Sequence, residues 1–578
     1  MAKRQFDQER NRLEYGQLLF PEPGYELDFA VGMTYSLDFE ALLGVPVSLG
    51  MLETLDSAAA QNPYFLLEAI RKSSDRIALF CNYDGIKLPQ NIRPVYALLE
   101  NSVFPVFLGT KKNFHPKLWV IRYKDWEGNV LIRVIVLSRN LTFDRSMDIA
   151  VEMTGEVGKQ TNEVNRPLSD MLSFVADYAS EEKRHQVKAL ARDVMRVGTF
   201  DCDEKYEEYQ FLPFGIPKYK NKAQPLFDDA NQLLVVSPFL SDGVLKTLTD
   251  GPSKKVLITR SSSITRTAFF KFEQIYVPKE ALLDNAVLEQ ADEPGEMKRD
   301  LHAKVYFKTC REGNFLYLGS LNASANAFYH NVEFMLGLKF RPYMASFDSV
   351  LKDFVPDENS PFELVERLDH YQAETEGEED SNPFEGIVDK IRGAVVTPQG
   401  DGFRVQIDCD LPEREASIEP LFRRGYRRPL APGVAFDNML LKELSELYVI
   451  SCDGVCGVVK IPTTGIPLEE RNKAIYSNVI GSKSGFLAYV SFLLSDDYTQ
   501  AGMEQHELLN MLNHADQNRK AEVAGALYER LLWTAAYQPE RFESVQNVMQ
   551  HIEPELVDES FKKLVELFQQ AISKRKKA

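Results

Sequence analysis

The sequence predicts an α/β protein made of two homologous halves around one shared pseudo-twofold site, followed by a C-terminal α+β region. Three observations lead to this fold class. Short apolar runs rich in β-branched and aromatic residues alternate with stretches of helical periodicity, as in sheets buried on both faces. A His-x-Lys pattern opens an apolar strand twice. The segments around the two copies also correspond in order, over a distance longer than the roughly 20–50 residues of a solenoid repeat.

The elements that precede each His-x-Lys copy are predicted from their apolar patterns. Each set consists of a strand, turn and helix, followed by two further apolar strands. The sets are residues 29–43, 76–83 and 103–107 in the first half, and 233–248, 254–260 and 274–278 in the second. Because both sets run in the same order, the chain is interpreted as a duplication.

The His-x-Lys copies themselves supply candidate catalytic groups. His115 and Lys117 lie in "FHPKLWVIRY", and His302 and Lys304 lie in "DLHAKVYF". Residues two apart in a strand point to the same side, so each histidine shares a face with its lysine. If the halves pack about a pseudo-twofold axis, both pairs face one cleft.

Two further strands follow each copy. The first ends in a Ser-x-Asn turn and the second contains a glutamate, so each half has the same set of polar residues in the same order. These residues are Ser138, Asn140 and Glu152 in the first half, and Ser320, Asn322 and Glu333 in the second.

This doubled set of residues suits the cleavage of a phosphodiester. One histidine can attack phosphorus, and the other can protonate the leaving oxygen. The lysines and asparagines can neutralise and hydrogen-bond the phosphoryl oxygens, where charge accumulates in the transition state. We therefore expect a covalent phosphohistidine intermediate. No metal or other cofactor is expected, since the lysines supply positive charge and no carboxylate cluster has metal-binding spacing.

These motifs resemble the signature of the phospholipase D superfamily, a duplicated His-x-Lys followed by Asn in a Gly-Ser-x-Asn-like turn. The resemblance covers roughly residues 25–345. It implies a phospholipase D-like fold for each half, with His115 as the nucleophile and His302 as the general acid. It also assigns Lys117, Lys304, Asn140 and Asn322 to catalysis, with Ser138 and Ser320 lining the phosphate site.

The chain departs from the superfamily pattern in two places. An aspartate often follows the His-x-Lys, but Arg122 and Thr309 stand at those positions, and Leu137 replaces the usual Gly before the first Ser. In lacking this aspartate, the chain resembles the tyrosyl-DNA phosphodiesterase branch of the superfamily and some metal-independent nucleases. Each imidazole still needs an orienting partner, and Glu152 and Glu333 are the candidates.

Basic residues favour nucleic acid as the substrate. The net charge of −18 argues against a uniformly basic surface, but it leaves room for a basic cleft. "FRRGYRRP" surrounds Tyr426 with arginines and could contact phosphates and stack on bases. The candidate nucleic-acid-binding residues are Lys111, Lys112, Arg260, Arg266, Arg423 and Arg424.

The remaining features concern compartment and domain boundaries. No apolar run of about 18 residues or more exists, so we expect no membrane contact. The charged N-terminus lacks an apolar signal core, which predicts a cytoplasmic protein. The six cysteines lack zinc-site spacing and are expected to be buried thiols. The predicted boundaries are 1–200 and 201–369 for the halves, 370–386 for an acidic linker, and 387–578 for the C-terminal region, helical from about 503.

The expected function is a metal-independent phosphodiesterase that cleaves DNA or RNA, as the nuclease of a bacterial restriction or phage-defence system. The chain has no phosphate-binding loop, so a separate helicase or ATPase partner would supply ATP hydrolysis. Two alternatives stay open. One is a lipid phosphodiesterase of the phospholipase D type, and the other is a non-catalytic nucleic-acid-binding subunit.

Overall fold

The fold is mixed α/β and divides into two compact units. A computed structural model of the protein describes residues 15–50, 63–142, 147–219, 223–279, 301–356, 360–367, 384–494 and 517–577. Unit 1 comprises Met1–Leu42, Arg76–Leu88 and Asn101–Glu385, and unit 2 comprises Leu43–Asp75, Pro89–Glu100 and Gly386–Ala578. Most of the predicted acidic linker, residues 370–383, lies outside the described residues.

The first sheet of unit 1 has six strands in the order β3-β2-β1-β4-β5-β6. The strands are β1 (Tyr25–Met33), β2 (Ile77–Asn82), β3 (Val103–Val106), β4 (Leu118–Asp125), β5 (Val130–Leu137) and β6 (Ala150–Glu156). Strands β1, β2 and β3 pair in parallel, whereas β4, β5 and β6 are antiparallel additions. Every residue of β2 is buried, as expected for a strand covered on both faces.

The second sheet of unit 1 has eight strands in the order β14-β10-β9-β8-β11-β12-β13-β7. The strands are β7 (Tyr206–Phe214), β8 (Gln232–Val236), β9 (Lys254–Ile258), β10 (Gln274–Pro278), β11 (Val305–Cys310), β12 (Gly313–Gly319), β13 (Glu333–Phe340) and β14 (Phe362–Leu364). Its stretch from β10 to β13 has the pairing order of the whole first sheet, with three parallel strands followed by three antiparallel ones.

One apolar core is shared by the two sheets. Val31 and Val134 of the first sheet belong to the same buried cluster as Val236 and Leu336 of the second. Two parallel β-bridges, Phe114 with Val332 and Met147 with Leu301, connect the segments that leave the sheets. The ends of the sheets that hold the His-x-Lys segments therefore lie together.

The described helices are distributed over both units. None in the described ranges combines the length and the apolar character needed to cross a bilayer. Their bounds are α1 (Tyr15–Leu18), α2 (Phe39–Gly50), α3 (Pro63–Ser73), α4 (Arg166–Ala176), α5 (Glu181–Met195), α6 (Asp242–Leu248), α7 (Arg266–Lys271), α8 (Ala325–Tyr329), α9 (Phe347–Phe354), α10 (Leu468–Ile480), α11 (Lys483–Leu493), α12 (Gln517–Tyr537), α13 (Pro539–Gln550) and α14 (Glu559–Lys577). The strand–turn–helix predictions at 29–43 and 233–248 are confirmed as β1–α2 and β8–α6.

Unit 2 contains two four-stranded sheets, in the orders β19-β16-β15-β22 and β18-β17-β20-β21, followed by helices. The strands are β15 (Ile391–Gln399), β16 (Gly402–Cys409), β17 (Ser417–Pro420), β18 (Arg428–Pro429), β19 (Ala435–Met439), β20 (Leu447–Cys452), β21 (Val455–Lys460) and β22 (Thr463–Thr464). Helices begin at Leu468, earlier than the predicted 503. The second of these helices, α11, is buried on most sides, and an apolar run without polar periodicity does not distinguish helix from strand.

Candidate active site

Each His-x-Lys segment is held by backbone atoms of a segment that leads into the other sheet. The amide of His115 donates to the carbonyl of Val332 at 2.9 Å, and the amide of His302 donates to the carbonyl of Met147 at 3.1 Å. Val332 directly precedes β13 of the second sheet, and Met147 lies shortly before β6 of the first, so the exchange is reciprocal. Both histidines are thereby fixed where the two sheets meet.

Hydrogen bonds to both ring nitrogens fix the His115 imidazole. Its Nδ1 lies 2.9 Å from Oε2 of Glu333, and its Nε2 lies 3.1 Å from Nζ of Lys117. A lysine ammonium has donors and no acceptor, so Nε2 accepts and Nδ1 carries the proton that is donated to Glu333. The imidazole therefore has its lone pair on Nε2.

Glu333 is fully buried at the first position of β13. Besides His115, its carboxyl group accepts from the Ser320 hydroxyl and, at 3.3 Å, from Nδ2 of Asn331. Burial raises the pKa of Glu333 to about 8, although the positive charge of Lys117 acts in the opposite direction. A carboxyl group this desolvated retains a proton at pH values where an exposed glutamate is ionised.

The two lysines bring positive charge into the protein interior. Lys117 is 2% exposed and Lys304 is 3% exposed. Each Nζ donates to the backbone carbonyl of its own histidine, at 3.1 Å for Lys117 and 2.7 Å for Lys304. Because buried ammonium groups lose hydration, an anion that enters between them gains more electrostatic energy than it would at the surface.

The two Ser-x-Asn turns make matching hydrogen bonds. Ser138 donates its amide to the carbonyl of Ile149 at 3.0 Å, and its hydroxyl accepts from the Ile149 amide at 2.9 Å. Ser320 makes the same two bonds with Phe334, each at 3.0 Å. These hydrogen bonds align Ile149 with Phe334. The residues directly before them, Asp148 and Glu333, therefore occupy corresponding positions.

By these hydrogen bonds, Asp148 holds the position beside Ser138 that Glu333 holds beside Ser320. The Ser138 hydroxyl donates to Asp148 Oδ1 at 3.1 Å, just as the Ser320 hydroxyl donates to Glu333. Asp148 Oδ2 also lies 3.9 Å from Nε of Arg139.

The structure places Glu152 elsewhere, on β6 and 3.5 Å from Nε of Arg133, which corrects the predicted equivalence of the two glutamates. The carboxylate that bonds the serine follows it by 10 residues in the first half and by 13 in the second. Glu152 follows Ser138 by 14 residues, so counting along the sequence favoured the wrong partner. The hydrogen bond between the turn serine and a carboxylate identifies the correct residue, and that bond is visible only in the structure.

The asparagines follow these serines. Asn140 Oδ1 accepts from the amide of Ser36 at 3.4 Å, and Asn322 is buried after Ser320. Tyr35, which the sequence did not single out, adds an aromatic wall. Its ring centroid lies 5.1 Å from that of His115 and 5.9 Å from Nζ of Lys117.

Four of the predicted nucleic-acid-binding residues lie in unit 1. Lys111 and Lys112 are exposed in the turn before His115. Arg260 donates from Nε to the carbonyl of Leu301 at 3.2 Å, next to His302. Arg266 is exposed at the start of α7.

The other two, Arg423 and Arg424, lie in unit 2. The guanidinium of Arg423 lies 4.6 Å from the ring centroid of Tyr426 and donates to the carbonyl of Asn438 at 2.7 Å. Arg424 forms an ion pair with the buried Glu419 at 3.1 Å. Both arginines thus have contacts that also stabilise the local fold.

In the part of the chain that the structure describes, no group of three or more His, Cys, Asp or Glu side chains is placed to hold a metal ion. The groups that could bind a phosphoryl group are the lysine, asparagine and histidine side chains described above. These donors and cations come from segments next to both sheets.

Comparisons with known proteins found structural likenesses of low score. No protein-family model and no curated protein sequence matches the chain. Crystal structures of yeast tyrosyl-DNA phosphodiesterase align over 60% of this chain and 89% of their own, with a TM-score of 0.36 and 10% identity. Polyphosphate kinase from Porphyromonas gingivalis aligns over 57% of this chain and 42% of its own, with a TM-score of 0.29 and 10% identity. Scores and identities this low assign neither a family nor a substrate.

Proposed function

We propose that this protein is a phosphodiesterase of the phospholipase D superfamily that cleaves nucleic acid without a metal ion, through a phosphohistidine intermediate. The observation that supports this most directly is the hydrogen-bonded series Glu333–His115–Lys117, placed beside a second His-x-Lys. In this proposal the two matching sheets are homologous halves, 1–200 and 201–369, related by a pseudo-twofold axis.

The proposed first step uses the lone pair on Nε2 of His115. This nitrogen attacks phosphorus, the P–O bond to the leaving group breaks, and the leaving oxygen takes a proton from His302. Lys117, which donates to Nε2 in the free protein, transfers its hydrogen bond to a phosphoryl oxygen when substrate binds. In the second step His302 accepts a proton from water, which attacks phosphorus and releases His115.

Charge stabilisation in this proposal comes from both halves. The Lys117 and Lys304 ammonium groups and the Asn140 and Asn322 amides surround the phosphoryl oxygens as negative charge develops. Their burial makes the interaction stronger than in water. The lysines therefore take the part that a metal ion plays in other phosphodiesterases.

A carboxyl group is assigned to each imidazole. Glu333 orients His115, and Asp148 is proposed to do the same for His302 because it bonds Ser138 as Glu333 bonds Ser320. Both are positioning residues rather than catalytic ones.

The biological setting belongs to the same proposal. The protein would act in the cytoplasm as the nuclease of a bacterial restriction or phage-defence system, beside a helicase or ATPase. The region 387–578, with Arg423 and Arg424, would recruit the substrate or that partner.

The test is cleavage of labelled single- and double-stranded DNA and RNA in excess EDTA. We expect cleavage by the intact protein and a loss of at least about 1,000-fold in His115→Ala and in His302→Ala. His330→Ala is the matched control, because His330 is exposed beside the second motif. Denaturing quenches at alkaline pH, in which a phosphohistidine survives, should trap the labelled strand on the protein through its phosphate, and His115→Ala should abolish that label.

Three outcomes would contradict the proposal. Cleavage that EDTA abolishes would contradict the metal-free mechanism. Turnover of phospholipid vesicles without cleavage of any nucleic acid would identify the lipid enzyme instead. Binding of nucleic acid that is unchanged in both histidine variants, with no turnover of any substrate, would identify a non-catalytic subunit.

A further inference from the structure

Two arginines of unit 1 lie over phenylalanine rings, and one of them, Arg260, is bonded next to the second His-x-Lys. The guanidinium of Arg260 lies 4.6 Å from the ring centroid of Phe239, and that of Arg266 lies 5.7 Å from that of Phe270. The Phe270 side chain is 69% exposed, a large apolar area beside a cation. We call these four residues the stacking platform.

Hydrogen bonds attach the platform to the candidate active site. Arg260 is bonded to the carbonyl of Leu301, the residue before His302. The loops that hold the two arginines and Phe239 are also tied together, since Ser263 donates to the carbonyl of Pro238 at 2.6 Å and Thr267 donates to Asp242 at 2.7 Å. The platform is therefore formed before any ligand arrives, which reduces the entropy lost on binding.

The fold itself does not require these side chains. Thr34 in the first half and Ser237 in the second each donate a hydroxyl to the carbonyl two residues on, at 2.8 Å in both cases. This match places Ser36 at the position of Phe239. The amides of Thr34 and Ser237 bond the carbonyls of Phe80 and Ile258, which likewise places Asn82 at the position of Arg260. Of these two equivalent pairs, only the one on the His302 side, Phe239 with Arg260, places an arginine on an aromatic ring.

We propose that the stacking platform binds an unpaired nucleobase of the substrate, on the side of the scissile phosphate that faces His302. This inference rests on the proposed function and adds a subsite and a strand preference to it. Bases stack on aromatic faces irrespective of sequence, and guanidinium groups both stack and contact phosphates. With His302 as the general acid, the bound base belongs to the leaving-group strand.

The chemistry of the platform favours a nucleic acid over a lipid surface. Two guanidinium groups beside two rings suit alternating bases and phosphates. Membrane insertion would instead require a wide apolar stripe, and α7 is only six residues long. A base in a duplex is already stacked and paired, so it would have to leave its neighbours to reach Phe270.

The experiment measures binding of the full chain to a labelled single strand of about 12 thymidines by fluorescence anisotropy. We expect Phe270→Ala to weaken this binding about 10-fold. Phe239→Leu, which removes the aromatic face but keeps an apolar side chain at the packed position, should weaken it as well. Trp126→Ala is the control, since Trp126 is 88% exposed at the β4–β5 hairpin and should leave binding unchanged.

A strand of the same length with abasic sites isolates the base contact. Intact protein should bind it more weakly, and Phe270→Ala should cause no further loss. Equal losses on the thymidine and abasic strands, no loss on either, or a loss confined to anionic phospholipid vesicles would overturn the inference. If the protein cleaves no nucleic acid, the proposed function fails while this binding test still decides the platform. If the protein cleaves nucleic acid but Phe270→Ala binds the strand as tightly as the intact protein, only the stacking-platform inference is wrong.

Discussion

At the residue scale, the Glu333 carboxyl group connects stability with the candidate chemistry. It is buried, it bonds His115, and it accepts from Ser320 of its own half. A group in that position must remain desolvated to orient the imidazole, and the desolvation makes its ionised form costly. The same residue should therefore affect both the pH profile of unfolding and turnover.

Glu333→Gln should flatten the pH dependence of stability. Burial raises the pKa of Glu333 from 4.5 to about 8 in the folded protein. Between these pH values the folded state keeps a proton that the unfolded state releases, so folding stability falls as pH rises. Relative to Glu333→Gln, the native protein should lose about 4 kcal/mol across this range. Denaturant titrations at a series of pH values measure it, with the exposed Glu312→Gln as control. Parallel curves for the native protein and Glu333→Gln would contradict the assignment.

Asp148→Asn and Glu152→Gln separate the two first-half carboxylates. Asp148 occupies the position equivalent to Glu333, whereas Glu152 lies beside Arg133. If Asp148 orients His302, its amide variant should lower kcat by about 100-fold with little change in KM. Glu152→Gln should stay within about 3-fold of the native rate. The reverse ranking in steady-state assays would restore Glu152 to the site.

At the scale of elements, the turn before His115 combines positive charge with an unusual backbone. Lys111 has φ of 60° and Gly109 has φ of 92°. Asn113, two residues after Lys111, is attached to the segment before β13. Its amide donates to Asn331 Oδ1 at 3.2 Å, and its carbonyl accepts from the Val332 amide at 2.9 Å. A lysine in the left-handed region carries strain that glycine would not.

Lys111→Gly should weaken nucleic-acid binding without destabilising the fold. Glycine adopts the left-handed conformation without penalty, so any stability change should stay within about 1 kcal/mol. Loss of one phosphate contact should reduce the slope of log Kd against log salt concentration by about 0.7–0.9. Anisotropy titrations over a range of salt concentrations measure the slope. An unchanged slope would remove Lys111 from the nucleic-acid-binding surface, and Lys159→Gly tests for a general charge effect.

Strands were predictable from the sequence because burial on both faces leaves continuous apolar runs, as in β2 and β9. The lengths of the turns and the contacts between segments distant in sequence could not be predicted in this way. Helix α8 lies between Ser320 and Glu333, and this longer connection hid the correspondence between Glu333 and Asp148. The proximity of Tyr35 to His115 arises from packing between segments distant in sequence, for which no periodicity exists. Helix α11 was missed because its burial removes the polar spacing by which helices are detected.

At the scale of the whole molecule, unit 2 is discontinuous in sequence. Leu43–Asp75 and Pro89–Glu100 group with the C-terminal part rather than with the first sheet. Buried polar contacts hold them there. Arg471 pairs with Glu100 at 2.6 Å, and the Tyr489 hydroxyl donates to Glu68 at 3.1 Å. The predicted boundaries were continuous in sequence, because an insertion of this kind leaves no compositional mark.

A chain ending at residue 385 should therefore fail to fold as a soluble protein. It would keep Glu68, Glu100 and the apolar residues around them, but it would lose Arg471 and Tyr489. Glu68 would keep its ion pair with Arg71, but Glu100 would lose the guanidinium of Arg471. Breaking a buried ion pair in this way costs about 3–5 kcal/mol, comparable with the stability of a whole domain. Expression followed by size-exclusion chromatography should show aggregates. A protease site inserted within 370–383 of the full chain gives the matched experiment, because both fragments are then folded before cleavage. They should co-elute, since unit 2 contains segments of each. A soluble monomer of residues 1–385, or separation of the fragments after cleavage, would show that the N-terminal segments do not need the C-terminal part.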